Sequence, residues 1–421
     1  MRNHKMTEFH YDVSRLVLMN GNLITPWKII RGGYICLARG VISEIGLASE
    51  YNRHQNDVLL NMDHRWITPG FIDLLVHGAV GYDVMDATDE AFDMLAQDRL
   101  KSGTTAFLAS TRAAAPEDTF RTLSSLAQWR KTKREGARIL GVNLEGTFLG
   151  PGQKGAQPAE YVVNALECER SIYLKEFDKY SDLIKIVMVA PELPEACEFI
   201  RELRQRQFIV SVGHSAANYE QTIAAFLAGA SHVVHTYNAM KGITTRQIGD
   251  PTTEINELPG VLGAALSEDS VTTEVIADGI HVHPALIKIL LRCKGTRGVV
   301  VVTDNVRGCG MPDGWTYNIR GQDIVIKNGV SRLRSGMLAG CITRMNVLVQ
   351  NMVQMAGLPI TEAVQCATIN PARVIGLAQQ KGSLAVGMHA DLTVLDETYS
   401  VVMTIIDGQI VWRNEDNKHD L

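Results

Sequence analysis

Near-continuous apolar runs recur through the middle of the chain, each followed by a polar turn and a stretch with helical spacing. The runs are WITPGFIDLLVHG, GTTAFLAST, ILGVNLEGTF, IKIVMVAPE, FIVSVGHSA, HVVHTYNAM, TTEVIADGI and GVVVVTDN. Runs without polar alternation belong to strands covered on both faces, as in parallel sheets. Segments such as TDEAFDMLAQDRLKSG and NYEQTIAAFLAGA supply intervening helices, so the pattern reads as repeated βα units. Eight such runs are the number that closes a TIM (β/α)8 barrel. A doubly wound open sheet is the rival, but it leaves the polar residues at the run ends unexplained.

The flanks carry a different pattern. Residues 13–67 read as short strands, with LVLMNGNLIT, YICLARGVISEIG and DVLLNMDHRWI built around Asn20-Gly21 and Arg39-Gly40 turn signals. The C-terminal stretches KGSLAVGMHADLTVLD and VVMTIIDGQIVWRN have the same character, with Asp407-Gly408 as a hairpin turn. The expectation is an α/β chain with two domains: a small β-sandwich built from residues 1–67 and 377–421, and a barrel spanning 68–376.

Composition narrows the function classes. The 421 residues are 46% hydrophobic and 21% charged, with a formal net charge of -5, so the basic stripe of a nucleic-acid binder is missing. The short basic run Arg130–Glu135 reads as a solvated helix end. Seven cysteines form no CxxC pair, which disfavours a disulfide framework or a thiolate zinc site and suits a reducing cytoplasm. Cys168, Cys293 and Cys366 fall in helix-like runs and read as buried small hydrophobes. The start of the chain lacks the apolar segment of a secretory signal, and no run reaches the ~18 residues of a membrane span.

The candidate chemistry sits where the runs end. His77, Glu145, His214, His235, His281 and Asp304 each follow an apolar run, and in a barrel those ends converge on the active-site face. One strand-end histidine alone is more often a hydrogen-bonded cap; six such positions together favour a site. Glu145, His214 and His235 offer a carboxylate and two imidazoles, the ligand set of a catalytic zinc with an open position; non-haem iron uses similar ligands. Asp304 is placed to take a proton from water and return it to a leaving amine, and His281 to donate to a carbonyl oxygen. Bland readings remain beside these. Glu145 with Gly146 could be a turn carboxylate at a helix start. His232 shares a segment with His235 but points to the opposite face by strand alternation. His283 before Pro284 reads as a helix initiator, Asp278 as structural and His64 as a surface residue.

These motifs, taken in order, resemble the N-acetylglucosamine-6-phosphate deacetylases of the amidohydrolase superfamily and their N-acetylgalactosamine-6-phosphate relatives. The matching stretches run from Pro69–Asp73 (PGFID) through Leu144–Gly146, KGAQP, Gly213–Ser215, His235–Met240, Ala277–Val282 and Val302–Asn305 to Asn370–Gly376 (NPARVIG). The resemblance implies one divalent metal held by Glu145, His214 and His235, zinc or alternatively iron. It implies Asp304 as general base and acid, and His281 on the substrate carbonyl. It also implies a phosphorylated amino sugar held by Asn238, Ala239, Arg246, Gln157, His77 and Thr343, and a homodimer. Neither nucleic acid nor membrane is an expected partner. The implied reaction removes acetyl from an N-acetylhexosamine 6-phosphate. The alternatives are the same chemistry on another N-acyl or cyclic amide, or a non-catalytic sugar-phosphate sensor.

The chain also departs from that pattern. Leu75 replaces the first ligand of the His-x-His pair that many relatives carry, which disfavours a second metal and leaves His77 as a pocket residue. Ala190-Pro191-Glu192 offers no lysine for a carbamate bridge. Gln157 stands where many relatives have histidine, and the loop from Arg246 to Gly260 is longer. Arg344 follows a loop where relatives have small residues, and could meet an anion or face solvent. GYDVMD, GHSAA and GMPDG lean towards the galactosamine branch.

Overall fold

The computed structural model describes residues 15–132, 134–162, 165–245, 257–319 and 321–414, with 165–169 and 245 described in backbone only. Eight strands form one parallel sheet in sequence order: Phe71–Val76, Thr104–Ser110, Arg138–Phe148, Ile184–Val189, Ile209–Val212, His232–Val233, Thr272–Val275 and Val299–Val301. They are the eight runs read from the sequence. A parallel bridge between Val76 and Asn305 joins the first strand to the extension of the eighth and closes the barrel.

Each strand is followed by a helix, α1 (Asp89–Leu100), α2 (Pro116–Trp129), α3 (Ala165–Lys179), α4 (Ala196–Gln205), α5 (Tyr219–Ala228), α6 (Gly260–Ser267), α7 (Pro284–Lys294) and α8 (Met345–Gln354), and two short helices, Ile360–Cys366 and Ile369–Val374, come after α8. Local chemistry starts several of them. Thr88 caps α1, Asn218 and Gln221 form a capping box at α5, and His283 accepts from the Ala285 N–H ahead of Pro284 at α7. His283 therefore initiates a helix, as expected. The short RKTKRE run follows the end of α2, where Arg134 stacks over Trp129.

Both faces of the sheet are buried. Ile72, Ala106, Leu108, Ile186, Ile276 and Val300 belong to one apolar cluster. They come from the first, second, fourth, seventh and eighth strands, on different sides of the ring, so the cluster fills the barrel interior. Leu75 lies in this core, which accounts for its type. Outward-facing Phe107, Val142, Val187 and Val210 pack with Phe92, Leu126, Phe177 and Phe199 of the helices. Each such side chain contributes about 1.5–3 kcal/mol on burial.

Both chain ends meet in a second, eight-stranded sheet. Its hub is Arg15–Ile24, which pairs with Ile29–Ala38, Asp57–Asn61 and Trp66–Pro69. Leu392–Leu395 adds to Trp66–Pro69 and brings in Val401–Ile406 and Gln409–Arg413. Leu18, Ile35, Ile67, Leu392 and Ile405 share one core. Arg39-Gly40 and Asp407-Gly408 are tight hairpin turns with positive φ at both residues. Asn20-Gly21 is not: it lies inside the first strand as a bulge, with register shifts on both sides of Gly21. A Cβ at Gly21 would meet the Ile67 side chain at 2.4 Å, so close packing sets the glycine there. The sheet is tied to the barrel by Thr393 and Thr404 hydroxyls donating to the Gly103 and Leu100 carbonyls at 2.6 and 2.8 Å.

Two readings of single residues need correction. Cys366 is buried, but Cys293 is exposed, because it lies with Leu286 and Ile289 on the outward face of α7. The Cys168 side chain lies outside the described residues. Arg344 neither faces an anion in the cavity nor projects into solvent. It forks onto Asp98 at 2.9 and 3.1 Å, beside the fully buried Arg99. Arg99 in turn donates to Asp98 at 2.9 Å and to the Asn305 side chain at 2.6 Å. The six described cysteines are free thiols. Among the described residues no helix is long and apolar enough to cross a membrane.

Removing one member of a buried charged group leaves the others unpaired. Arg99→Met is expected to cost about 3–5 kcal/mol, read as a lower urea midpoint at unchanged m-value.

Candidate active site

A cavity of about 370 Å³ opens at the C-terminal ends of the barrel strands, within the size range of small-molecule sites. His77, Glu145, His214, His235, His281 and Asp304 all line it, so the strand-end residues do converge.

Glu145 is not a turn carboxylate. It lies inside the long third strand with its side chain buried. Gly146 beside it has φ +101°, and a Cβ there would sit 2.1 Å from the Ala113 backbone nitrogen. His214, His235 and Asp304 each follow their strands with φ of 44°, 23° and 50°. Such left-handed geometry costs a non-glycine residue roughly 1–2 kcal/mol and turns the side chain off the strand direction.

The ligand atoms of Glu145, His214 and His235 lie within 4.8 Å of one another. The Nε2 atoms of His214 and His235 are 3.0 Å apart, and His214 Nε2 is 3.3 Å from Glu145 Oε1. His214 Nδ1 faces the Gln153 carbonyl at 3.0 Å, and a carbonyl can only accept. The proton therefore sits on Nδ1, and the Nε2 lone pair points at the cluster. Glu145 Oε2 is buried without a hydrogen-bond partner. An unsatisfied buried carboxylate oxygen is costly, and one beside two imidazoles is the donor set that a divalent cation satisfies. His232 is the other histidine of its segment. It bonds Thr272 Oγ1 at 2.7 Å and Glu274 Oε1 at 2.8 Å behind the site and is not a member of the cluster.

The electrostatics favour the ligand forms. Burial pushes Glu145 up, but the His214 hydrogen bond and the charges of His77, His214 and His235 outweigh it, taking the carboxyl down to about 2. Burial, then the neighbouring His214, lowers His235 below its ordinary value. His77 is raised to about 9. Burial opposes that rise, and the Asp304 hydrogen bond with the charges of Glu145 and Asp304 overcomes it.

Asp304 Oδ1 lies 3.2 Å from His77 Nε2, where the first and eighth strand ends adjoin. His281 is aimed by Asp278, whose carboxylate takes the ring Nδ1 at 2.6 Å and the backbone N–H groups of Ile280 and His281 at 2.8 Å each. Asp278 is thus structural, and it serves the site. The Cys341 thiol completes a second close cluster with these two. Asn238 and Ala239 line the cavity. Gln157 does too, but its amide is engaged at both ends, accepting from Ala113 N at 3.0 Å and donating to Glu145 Oε1 at 3.2 Å. Thr343 does not line the cavity. Its carbonyl accepts from Asn305 and its N–H donates to Cys341 Sγ. Arg246 lies outside the described residues. His64 is exposed, as expected.

Other parts of the cavity escaped the sequence reading. A three-stranded antiparallel flap, Thr316–Ile319, Gln322–Lys327 and Val330–Leu333, follows the eighth strand and supplies Ile319, Gln322 and Ile324 to the wall. Asn328-Gly329 between its last two strands is a hairpin signal that could have revealed it. Asp83 and Arg112 form an ion pair in the wall. Nothing in their local pattern marks them, because they come from different loops.

A model of the amidohydrolase family matches residues 66–411. The chain is 32% identical over 400 residues to the N-acetylglucosamine-6-phosphate deacetylase of Bacillus subtilis, covering 94% of this chain and 97% of that protein. It is 36% identical over 352 residues to the N-acetylgalactosamine-6-phosphate deacetylase of Escherichia coli, covering 83% and 88%. A mutant N-acetyl-D-glucosamine-6-phosphate deacetylase from Mycobacterium smegmatis, solved in complex with N-acetyl-D-glucosamine-6-phosphate, superimposes with a TM-score of 0.82 at 30% identity, covering 94% and 99%.

Gly146→Ala should cost at least about 2 kcal/mol in thermal or urea unfolding, since alanine meets both positive φ and a backbone clash. Acid should strip the site through His235. The native state holds His235 below 6.5 and Glu145 below 4.5, so both shifts make the unfolded chain bind more protons as pH falls. Stability from His235 is lost on descending below 6.5, whereas Glu145 stays ionised down to about 2. Metal content after dialysis across a pH series is expected to fall below about pH 6. Retention down to the carboxylate range would contradict this.

Proposed function

The chain belongs to the amidohydrolase family, in its branch of N-acetylhexosamine-6-phosphate deacetylases, and from that premise we infer how its residues carry out the reaction. It is a hydrolase that releases acetate from an N-acetylhexosamine 6-phosphate, N-acetylglucosamine or N-acetylgalactosamine 6-phosphate, leaving the free amino-sugar phosphate. The observation that carries the residue assignment is the convergence of a buried carboxylate and two imidazoles with Asp304 and His281 in one cavity.

Glu145, His214 and His235 would hold one divalent ion, which when bound supplies Lewis-acid polarisation and acidifies the attacking water. We take the ion to be zinc, which two imidazoles and a carboxylate suit; iron accepts the same set. Asp304 accepts the proton of that water and passes it to the amide nitrogen as the C–N bond breaks. His281, held through Nδ1 by Asp278, presents Nε2 to the carbonyl oxygen and donates to the charge that develops there. His77 steadies Asp304 from the other side.

Asn238 and Ala239 are proposed to hold the sugar. Among the described residues lining the cavity, the only lysine or arginine is Arg112, and it is paired with Asp83. The phosphate therefore needs a cation from elsewhere, and we assign it to Arg246. A homodimer is part of this reading, supported by the apolar Ile280, Leu286 and Ile289 exposed at and beside α7. The free thiols suit a cytoplasmic setting.

Asp304→Asn should lower kcat by about 10²–10⁴-fold without changing metal content. Acetate release should be measured from both 6-phosphate epimers and their unphosphorylated forms. Turnover confined to a phosphorylated sugar is expected; no acetate from either phosphate ester would overturn the reading.

A further inference from the structure

Three functional side chains sit on left-handed residues at the ends of parallel strands: His214, His235 and Asp304. A metal ligand or a base cannot be held in that backbone conformation by its own strand, because the ladder hydrogen bonds end there. We infer that Glu192, Glu274 and Asp73 are positioning residues, each supporting from the neighbouring barrel strand the turn that carries one of these side chains. The inference rests on the reading of Glu145, His214 and His235 as metal ligands and of Asp304 as the base.

Glu192 follows the fourth strand and supports the turn after the fifth. One of its carboxylate oxygens accepts from Ser215 Oγ and the other from the Ala216 N–H, both at 2.6 Å, just past His214. Gly150 makes room for it, since a Cβ there would lie 1.9 Å from Glu192 Oε1. Glu274, on the seventh strand and wholly buried, supports the end of the sixth. Its Oε2 accepts from the His235 N–H at 3.2 Å, and its backbone carbonyl accepts from the Thr236 N–H at 2.8 Å. The other oxygen takes His232 Nε2, so the buried carboxylate has a partner of its own. Asp73, on the first strand, supports the end of the eighth. It accepts from the Thr303 N–H at 3.1 Å and from Thr303 Oγ1 at 2.6 Å, and the same hydroxyl accepts from the Asn305 N–H at 3.2 Å. Asp304 is bracketed on both sides.

None of the three carboxylates lines the cavity, so none is a ligand or touches substrate. Their hydrogen bonds are charge-assisted, and each ends on a residue next to or within the strained turn. The same device is used three times around one ring, with a different carboxylate and a different neighbour each time. Outer supports of this kind set ligand geometry and hence affinity.

The assignments differ in what they control, and that separates positioning from general stability. E192Q and E274Q should weaken zinc binding about 10–100-fold in competition with a chelator, with kcat of the zinc-saturated protein changed little. D73N should leave zinc affinity unchanged, lower kcat about 10–100-fold and shift the acidic limb of the pH–rate profile that reports Asp304. S215A, H232N and T303V are milder changes at the carboxylates' partners. They should show the same division, and they decide the matter if an isosteric variant does not fold. H214A and H235A serve as controls. If these controls bind zinc as tightly as the parent, the metal reading itself fails. If they lose zinc while E192Q and E274Q keep parental affinity, the positioning inference fails. It fails equally if all three variants lower affinity and kcat together in step with a lower melting temperature.

Discussion

The contact on which most else depends is made by Asn305. Its backbone pairs with Val76 and takes the N–H groups of His77 and Gly78 at 2.8 Å, which is where the first and last barrel strands meet. Its side-chain carbonyl accepts from the buried Arg99, and its side-chain N–H₂ donates to the Cys341 and Thr343 carbonyls. One residue thus closes the barrel, docks the loop entering α8 and fixes the position beside Asp304. A buried side chain with every polar group satisfied has a single low-energy placement, since any other leaves Arg99 or a carbonyl unpaired. Closure and catalytic geometry are therefore set by the same hydrogen bonds.

From this join the site is assembled by division of labour. The parallel ladder brings eight strand ends to one face. Left-handed turns then redirect His214, His235 and Asp304 towards the axis, and Gly146 lets Glu145 ride on a strand that passes close to the second. Burial alone would disfavour charge on Glu145, yet the imidazoles around it reverse the balance and leave an anion with an unsatisfied oxygen. A divalent cation among the three side chains would satisfy that combination. Carboxylates behind the site, bonded to backbone and hydroxyl groups, take up the strain of the turns without entering the cavity.

Much of this was legible in one sequence because barrel strands are buried on both faces. Their runs are largely apolar and lack polar alternation, so a His, Glu or Asp at the end of a run marks the end that faces the site. His77, Glu145, His214, His235, His281 and Asp304 were found in this way, and all six line one cavity. The turn signals were less dependable. Arg39-Gly40 and Asp407-Gly408 made hairpins, but Asn20-Gly21 became a bulge because Ile67 packs against the glycine and the strand continues.

Repetition of pattern, the identity of the strand-end groups and the order of the motifs were enough to determine the barrel, the joining of the two chain ends in one sheet and the family's chemistry. Tertiary structure alone decided which polar groups serve each other. Arg344 turned to Asp98, Thr343 to Asn305 and Cys341, and Gln157 to Glu145. It also revealed Glu192, Glu274 and Asp73 as supports for turns on other strands. Apart from Thr343 with Cys341, these pairings join residues distant along the chain, some more than 200 positions apart, such as Asp73 and Thr303 at 230. A hydrogen bond depends on distance in space, and spacing along the chain carries no record of it until the barrel has closed.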